Sequence, residues 1–129
     1  MGKFRLAGAF FALLSVVLGA FASHFLKSHL DSQDLDAFET GIRYMMYHGL
    51  SLLILAGFEI SKNTLIFHLF FWGTVLFSFS IFLLCLQNFF SIDLSFLGPI
   101  TPMGGTLLIS AWIILILRII KNKKQIDKI

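Results

Sequence analysis

Four long runs of apolar residues constrain this chain more than any other feature. Each run comes close to the roughly 20 residues that an α-helix needs to cross a hydrocarbon core. The runs cover residues 6–26, 44–60, 65–86 and 101–120. The composition agrees, since 57% of the 129 residues are hydrophobic and 13% are charged, against about 25% charged residues in an ordinary soluble domain. We therefore expect an integral membrane protein with four spans.

The second run looks short, but an amphipathic stretch precedes it. From Ser32 onward, apolar residues recur at helical spacing among acidic ones, which predicts one long helix that begins outside the membrane and enters it at Tyr44. Short connections make neighbouring spans antiparallel. We predict an all-α fold in which residues 1–129 form a single domain, an antiparallel four-helix transmembrane bundle.

The positions of the basic residues predict the orientation of this bundle. One side of the membrane would hold Lys3, Arg5, Lys62, Arg118, Lys121, Lys123, Lys124 and Lys128, and the other only Lys27 and Arg43. Because cytoplasmic loops carry the excess of Lys and Arg, both termini are expected in the cytoplasm. The basic residues do not form a patch with interleaved aromatic residues, so we expect no nucleic-acid partner.

Small residues predict where the helices approach one another. In the first span they follow at steps of four, three, four and four residues, which gives one stripe along a helix. Small side chains let helix backbones pack closely in lipid. The candidate packing residues are Gly8, Ala12, Ser15, Gly19, Ser23, Gly49, Gly57, Gly104 and Gly105. Part of this surface could also receive a second copy or a larger membrane complex.

Polar side chains gather where the first two spans reach the outer side. The candidate cluster comprises His24, Glu39, Arg43, Tyr44, Tyr47 and His48. In one interpretation they anchor the helices: Glu39 pairs with Arg43 four residues later, and the two His hydrogen-bond between helices. In another, His24 and His48 lie at matched depth and ligate a haem or a metal ion. A third interpretation is a proton or ion relay.

No nucleophile or pair of catalytic carboxylates accompanies this cluster. The single Cys, Cys85, lies inside an apolar run and gives neither a disulfide nor a Cys-based metal site. We therefore expect a non-enzymatic protein without cofactor or metal, acting as an accessory, assembly or stabilising subunit of a membrane complex or as a homo-oligomer. The alternative is a small transporter or a ligand- or haem-binding module built on His24, Arg43 and His48.

Several segments of the chain resemble a known family in order and spacing. They are GAFASHFL at residues 19–26, FETGIRYMMYHGL at 38–50, VLFSFS at 75–80 and LGPITPMGGTLLISAW at 97–112. These segments are similar to the YgdD/YwdK-like family of small four-helix bacterial inner-membrane proteins, a domain of unknown function with mitochondrial relatives. The resemblance implies a multi-pass protein of the bacterial inner membrane and implies no activity.

Overall fold

The computed structural model describes residues 1–127, and all regular structure among them is helical. The first helix covers Gly2–His24 and the second Ser32–Leu55. The third covers Thr64–Leu86 and the fourth Ile100–Ile126. The predicted all-α class is confirmed for this part of the chain, whereas Lys128 of the predicted basic tail lies outside the described residues.

Local side chains explain two of the helix starts. The Asp31 carboxylate accepts a hydrogen bond from the Asp34 backbone N–H at 2.8 Å and caps the second helix. Asn63 caps the third helix in the same way. For the fourth helix, the dipeptide Thr101–Pro102 predicts a cap at Thr101 followed by Pro at the first helical position, and this prediction is wrong. The helix begins at Ile100, and the Thr101 hydroxyl lies 2.6 Å from the Ser80 hydroxyl instead.

Three of the four helices are long and apolar enough to cross a membrane: the first, the third and the fourth. The second helix carries acidic residues and Arg43 in its first half, and its mean hydropathy is lower than that of the other helices. The second helix ends at Leu55, whereas the run predicted from the sequence continues to residue 60. After Leu55 the chain turns and enters a short 3₁₀ helix, Glu59–Lys62.

Consecutive helices approach closely through glycines. A Cβ on Gly8 would lie 2.6 Å from the backbone oxygen of Gly49, so the first two helices touch backbone to backbone. Gly8 lies early in the first helix, and Gly49 lies late in the second. Gly73 likewise brings the third helix against the fourth, where its Cβ would lie 3.1 Å from the Leu108 backbone nitrogen.

The third helix is interrupted by five residues of π-helix, Val75–Phe79. Two side chains in and next to this segment form hydrogen bonds to two different helices. The Ser78 hydroxyl donates to the backbone oxygen of Gly41 in the second helix at 2.8 Å, while Ser80 contacts Thr101 in the fourth. Gly104 packs directly on the backbone nitrogen of Phe77. The π segment is therefore the point where the second, third and fourth helices meet.

The interior is built largely of aromatic and aliphatic side chains, and so is the surface. Phe4, Phe11, Phe38 and Phe70 are almost completely buried. Large apolar side chains also cover the outside; examples are Leu6, Val16, Ile109, Ile113, Ile116, Leu117 and Ile120. An exposed apolar surface of this extent suits a lipid environment, in which association depends on close packing rather than on hiding apolar area.

Candidate functional site

His48 is the best buried member of the predicted cluster, with 5% of its surface exposed. Its Nδ1 lies 2.6 Å from the Tyr44 backbone oxygen, and its Nε2 lies 3.1 Å from the indole Nε1 of Trp112. A carbonyl oxygen accepts only, and an indole N–H donates only. The hydrogen-bond network therefore assigns His48 as a neutral imidazole that carries its proton on Nδ1.

This arrangement bears directly on the haem and metal interpretations. Ligation requires a free nitrogen lone pair, and the Nε2 lone pair of His48 already accepts the Trp112 N–H. His24 is exposed at the end of the first helix and contributes to none of the ring contacts of His48. Within residues 1–127, no group of three or more His, Cys, Asp or Glu side chains is placed to hold a metal ion. The geometry supports an interhelical link at His48.

Glu39 and Arg43 lie on the surface of the second helix. An Arg43 guanidinium nitrogen lies 3.9 Å from the Glu39 carboxylate, and the two side chains are 52% and 42% exposed. Arg43 also donates to the Thr40 hydroxyl at 2.9 Å. The predicted cluster thus divides into an exposed ion pair and a separate buried His48.

The remaining members, Tyr44 and Tyr47, line a groove of about 460 Å³ between the second and fourth helices. Its lining is Tyr44, Tyr47, His48, Phe77, Gly105, Leu108, Ile109 and Trp112. The Tyr44 ring packs 4.9 Å from the ring of Phe77 and 6.0 Å from that of Tyr47, measured between centroids. The groove is therefore an aromatic recess whose floor includes the fixed His48 imidazole.

The candidate packing residues occupy different places. Gly8, Ser15, Gly49 and Gly104 are buried; Ala12, Gly19 and Gly105 are half-buried; Ser23 and Gly57 are exposed. The Ser15 hydroxyl donates to the Phe11 backbone oxygen and that of Ser23 to Gly19, both within the first helix. The first-span stripe thus makes its tightest interhelical contact at Gly8, whereas a Cβ on Gly57 would approach only the Ile54 backbone oxygen, at 3.5 Å.

Two acidic residues outside the predicted spans have shifted pKa values. Burial, followed by the charge of Asp31, raises the pKa of Asp34. At Asp93, hydrogen bonds from the Ser95 hydroxyl and then the Ser95 backbone N–H lower the pKa. Neither residue lines the aromatic groove or contacts His48.

A family model and several known proteins match most of this chain. A family model described as "Protein of unknown function (DUF423)" matches residues 18–105. The chain is also 37% identical over 126 residues to the UPF0382 membrane protein YwdK of Bacillus subtilis (strain 168), which covers 94% of this chain and 98% of that protein. This chain belongs to the DUF423 family. The resemblance to YwdK-like proteins found in the sequence is therefore confirmed.

Another relative is the UPF0382 membrane protein SAB0533 of Staphylococcus aureus (strain bovine RF122 / ET3-1). It is 38% identical over 126 residues, with 94% of this chain and 98% of that protein covered. No solved structure matches the chain. Membrane-protein relatives and three candidate spans together confirm the predicted membrane class.

Four of the residues that line the groove were not predicted from the sequence: Phe77, Leu108, Ile109 and Trp112. Trp112 is separated from its partner His48 by 64 positions, and Phe77 reaches the groove from the third helix. Periodicity shows which side chains share one helix face, but it does not pair residues on different helices. A Trp inside an apolar span was the one signal in the sequence, since an indole N–H in apolar surroundings needs an acceptor.

Proposed function

We propose that this DUF423 protein is a non-enzymatic integral membrane protein that acts as an accessory, assembly or stabilising subunit, either in a larger membrane complex or in a homo-oligomer. The observation that carries this proposal is the narrow buried stripe of the fourth helix. In that 27-residue helix the buried positions are Gly104, Leu108, Ala111 and Leu115. The other faces present large exposed apolar side chains that can contact lipid or another transmembrane helix.

The use of His48 supports the non-enzymatic part of this proposal. It is the buried side chain best suited to acid–base chemistry or ligation, and both its nitrogens are engaged: Nδ1 bonds the Tyr44 carbonyl of its own helix, and Nε2 joins the second helix to the fourth. The hydroxyl groups of Ser78 and Ser80 likewise form hydrogen bonds between helices. These polar groups favour a rigid scaffold over a reactive centre.

We further propose that the second helix spans the bilayer from about Tyr44, in an antiparallel four-helix bundle whose termini are both in the cytoplasm of a bacterium. Contacts between basic residues and distant elements support this topology. The Lys3 ammonium lies 3.5 Å from the Thr64 hydroxyl, so the starts of the first and third helices are neighbours. Lys62 and Arg118 line one surface recess. The basic residues of several elements therefore collect at one end of the protein, as a cytoplasmic side requires.

Single-cysteine labelling tests the topology. In a Cys85→Ser background, the variants Asp93→Cys and Lys124→Cys place one thiol at each end. We expect a membrane-impermeant maleimide to label Asp93→Cys in intact bacterial cells, and to label Lys124→Cys only after lysis. Labelling of Lys124→Cys in intact cells would contradict the orientation.

Photocrosslinking tests the subunit role. A photoreactive residue replaces Ile116 on the exposed face of the fourth helix, with Val16 on the first helix as a matched exposed control. We expect a discrete protein adduct from Ile116 in native membranes, formed with a second copy in a homo-oligomer or with a different protein in a complex. If positions 109, 113, 116 and 120 all yield only lipid adducts, the proposal is refuted.

A further inference from the structure

The aromatic groove between the second and fourth helices has the chemistry of a ligand site. Rings from three helices line it, since Tyr44 comes from the second, Phe77 from the third and Trp112 from the fourth. The Trp112 ring is fixed from behind by an edge-on contact with Phe70 at 5.2 Å and by its hydrogen bond to His48. The Trp112 wall is therefore held in place before anything binds, which lowers the cost of binding.

Gly105 contributes to the space inside the groove. A Cβ there would meet the Phe77 ring at 3.7 Å, an ordinary contact, so close helix packing does not require glycine at this position. Gly104 differs, because its Cβ would collide with the backbone of the third helix. A larger side chain at position 105 would project toward Phe77 and fill the recess.

The polar groups of the groove define what it can recognise. The Trp112 N–H and the His48 Nε2 satisfy each other, and the structure records no hydrogen bond from the hydroxyl of Tyr44 or Tyr47 within residues 1–127. Two phenolic O–H groups are thus available as donors. None of the residues that line the groove is charged. The complementary ligand is neutral, has flat ring faces and carries oxygen acceptors.

Size and access narrow the ligand further. The volume of about 460 Å³ falls within the range of small-molecule pockets, roughly 300–1,000 Å³. Tyr47 and Ile109 on the rim are 54% and 63% exposed on the apolar surface, so the ligand enters from the bilayer. We propose that this groove binds a lipid-soluble quinone-type molecule, with its ring stacked among the aromatic walls and its carbonyl oxygens accepting from the tyrosine hydroxyls.

Fluorescence of Trp112 tests this proposal on the full-length protein in nanodiscs. Trp72 is the only other tryptophan, so Trp72→Phe leaves Trp112 as the sole tryptophan that emits. Trp72 lies exposed on the third helix, so its replacement by Phe should be tolerated. Titration with decylubiquinone should quench Trp112 saturably. Because one lost hydrogen bond costs about 1 kcal/mol, Tyr44→Phe and Tyr47→Phe should each raise the Kd about fivefold. Gly105→Leu should abolish saturable quenching.

Matched controls distinguish binding of the quinone in the groove from its simple partitioning into lipid. Thr106→Leu adds bulk at the next, exposed position and should leave the Kd unchanged. Circular dichroism confirms that each variant is folded, and the tyrosine variants keep the test decisive if Gly105→Leu does not fold. Linear quenching that is equal in all variants would overturn the proposal. Competition of equal strength by decylbenzene, which lacks the carbonyl groups, would show a hydrocarbon site and overturn it as well.

Discussion

The adjacent glycines Gly104 and Gly105 provide a sharp test of how the third and fourth helices pack. A Cβ on Gly104 would collide with the backbone nitrogen of Phe77 and lie 2.8 Å from the carbonyl carbon of Leu76. A Cβ on Gly105 would have its nearest neighbour at 3.7 Å, on the Phe77 ring. Backbone atoms cannot rotate away as a side chain can, so Gly104→Ala must push the two helices apart.

The expected magnitude follows from three terms. Replacing either glycine by alanine favours the helix by about 1 kcal/mol, and this gain is common to both variants. Overpacking at Gly104 costs about 1–3 kcal/mol. Separation of the helices also weakens the Ser80–Thr101 hydrogen bond, worth about 1 kcal/mol. Gly104→Ala should therefore be less stable than Gly105→Ala by about 2–4 kcal/mol.

Reversible unfolding by SDS in mixed micelles, followed by circular dichroism, measures this difference. Gly105→Ala is the matched control, since it makes the same chemical change one residue away. Gly105→Ala is expected to be as stable as the parent protein or slightly more so. If the two variants unfold within about 0.5 kcal/mol of each other, a difference at the level of a surface substitution, the close approach at Gly104 is refuted.

Three further predictions use the same unfolding assay. Trp112→Phe should cost about 1–3 kcal/mol because it leaves the buried His48 Nε2 without a donor, and adding His48→Phe should recover part of that loss; strict additivity would contradict the link. Glu39→Gln and Arg43→Leu should couple by only about 0.3–0.5 kcal/mol because the pair is exposed; a coupling above about 1 kcal/mol would indicate a desolvated pair. Asp31→Ala should cost about 0.5–2 kcal/mol through loss of the helix cap, whereas Asp31→Ser should retain most of the stability; equal losses would argue against capping.

The helices were predictable from the sequence because their causes are local. Long apolar runs mark the first, third and fourth helices, and helical spacing from Ser32 marks the start of the second. The small residues of the first span predict a close approach, and Gly8 makes one. The partner Gly49 was among the candidate packing residues, but the pairing of the two depends on the registry of separate helices, which no local pattern encodes.

The π segment and the identity of Trp112 as the partner of His48 were not predictable for the same reason, although a hydrogen bond from His48 to another helix was one interpretation of the sequence. Val75–Phe79 has no sequence feature of its own that distinguishes it from the α-helix on either side, and it lies where Gly104 of the fourth helix presses on its backbone. The Glu39–Arg43 pair shows the converse case. Its four-residue spacing predicts the contact, whereas its exposure depends on the face that the second helix turns outward.

The links between helices also explain where the groove lies. Lipid offers no hydrophobic drive for helix association, so close backbone contacts and interhelical hydrogen bonds must hold the fold together. Gly104 and Ser78 provide such contacts along the third helix. The second and fourth helices, by contrast, are joined through the His48–Trp112 side-chain hydrogen bond. A side-chain link holds two helices further apart than a glycine contact does, and the space left beside it, next to Gly105, is the aromatic groove. The His48–Trp112 hydrogen bond occupies the Nε2 lone pair of His48, so this nitrogen is not free to bind a metal ion or a proton. The same hydrogen bond therefore helps to create the aromatic groove, in which we propose that the ring of a quinone-type molecule binds.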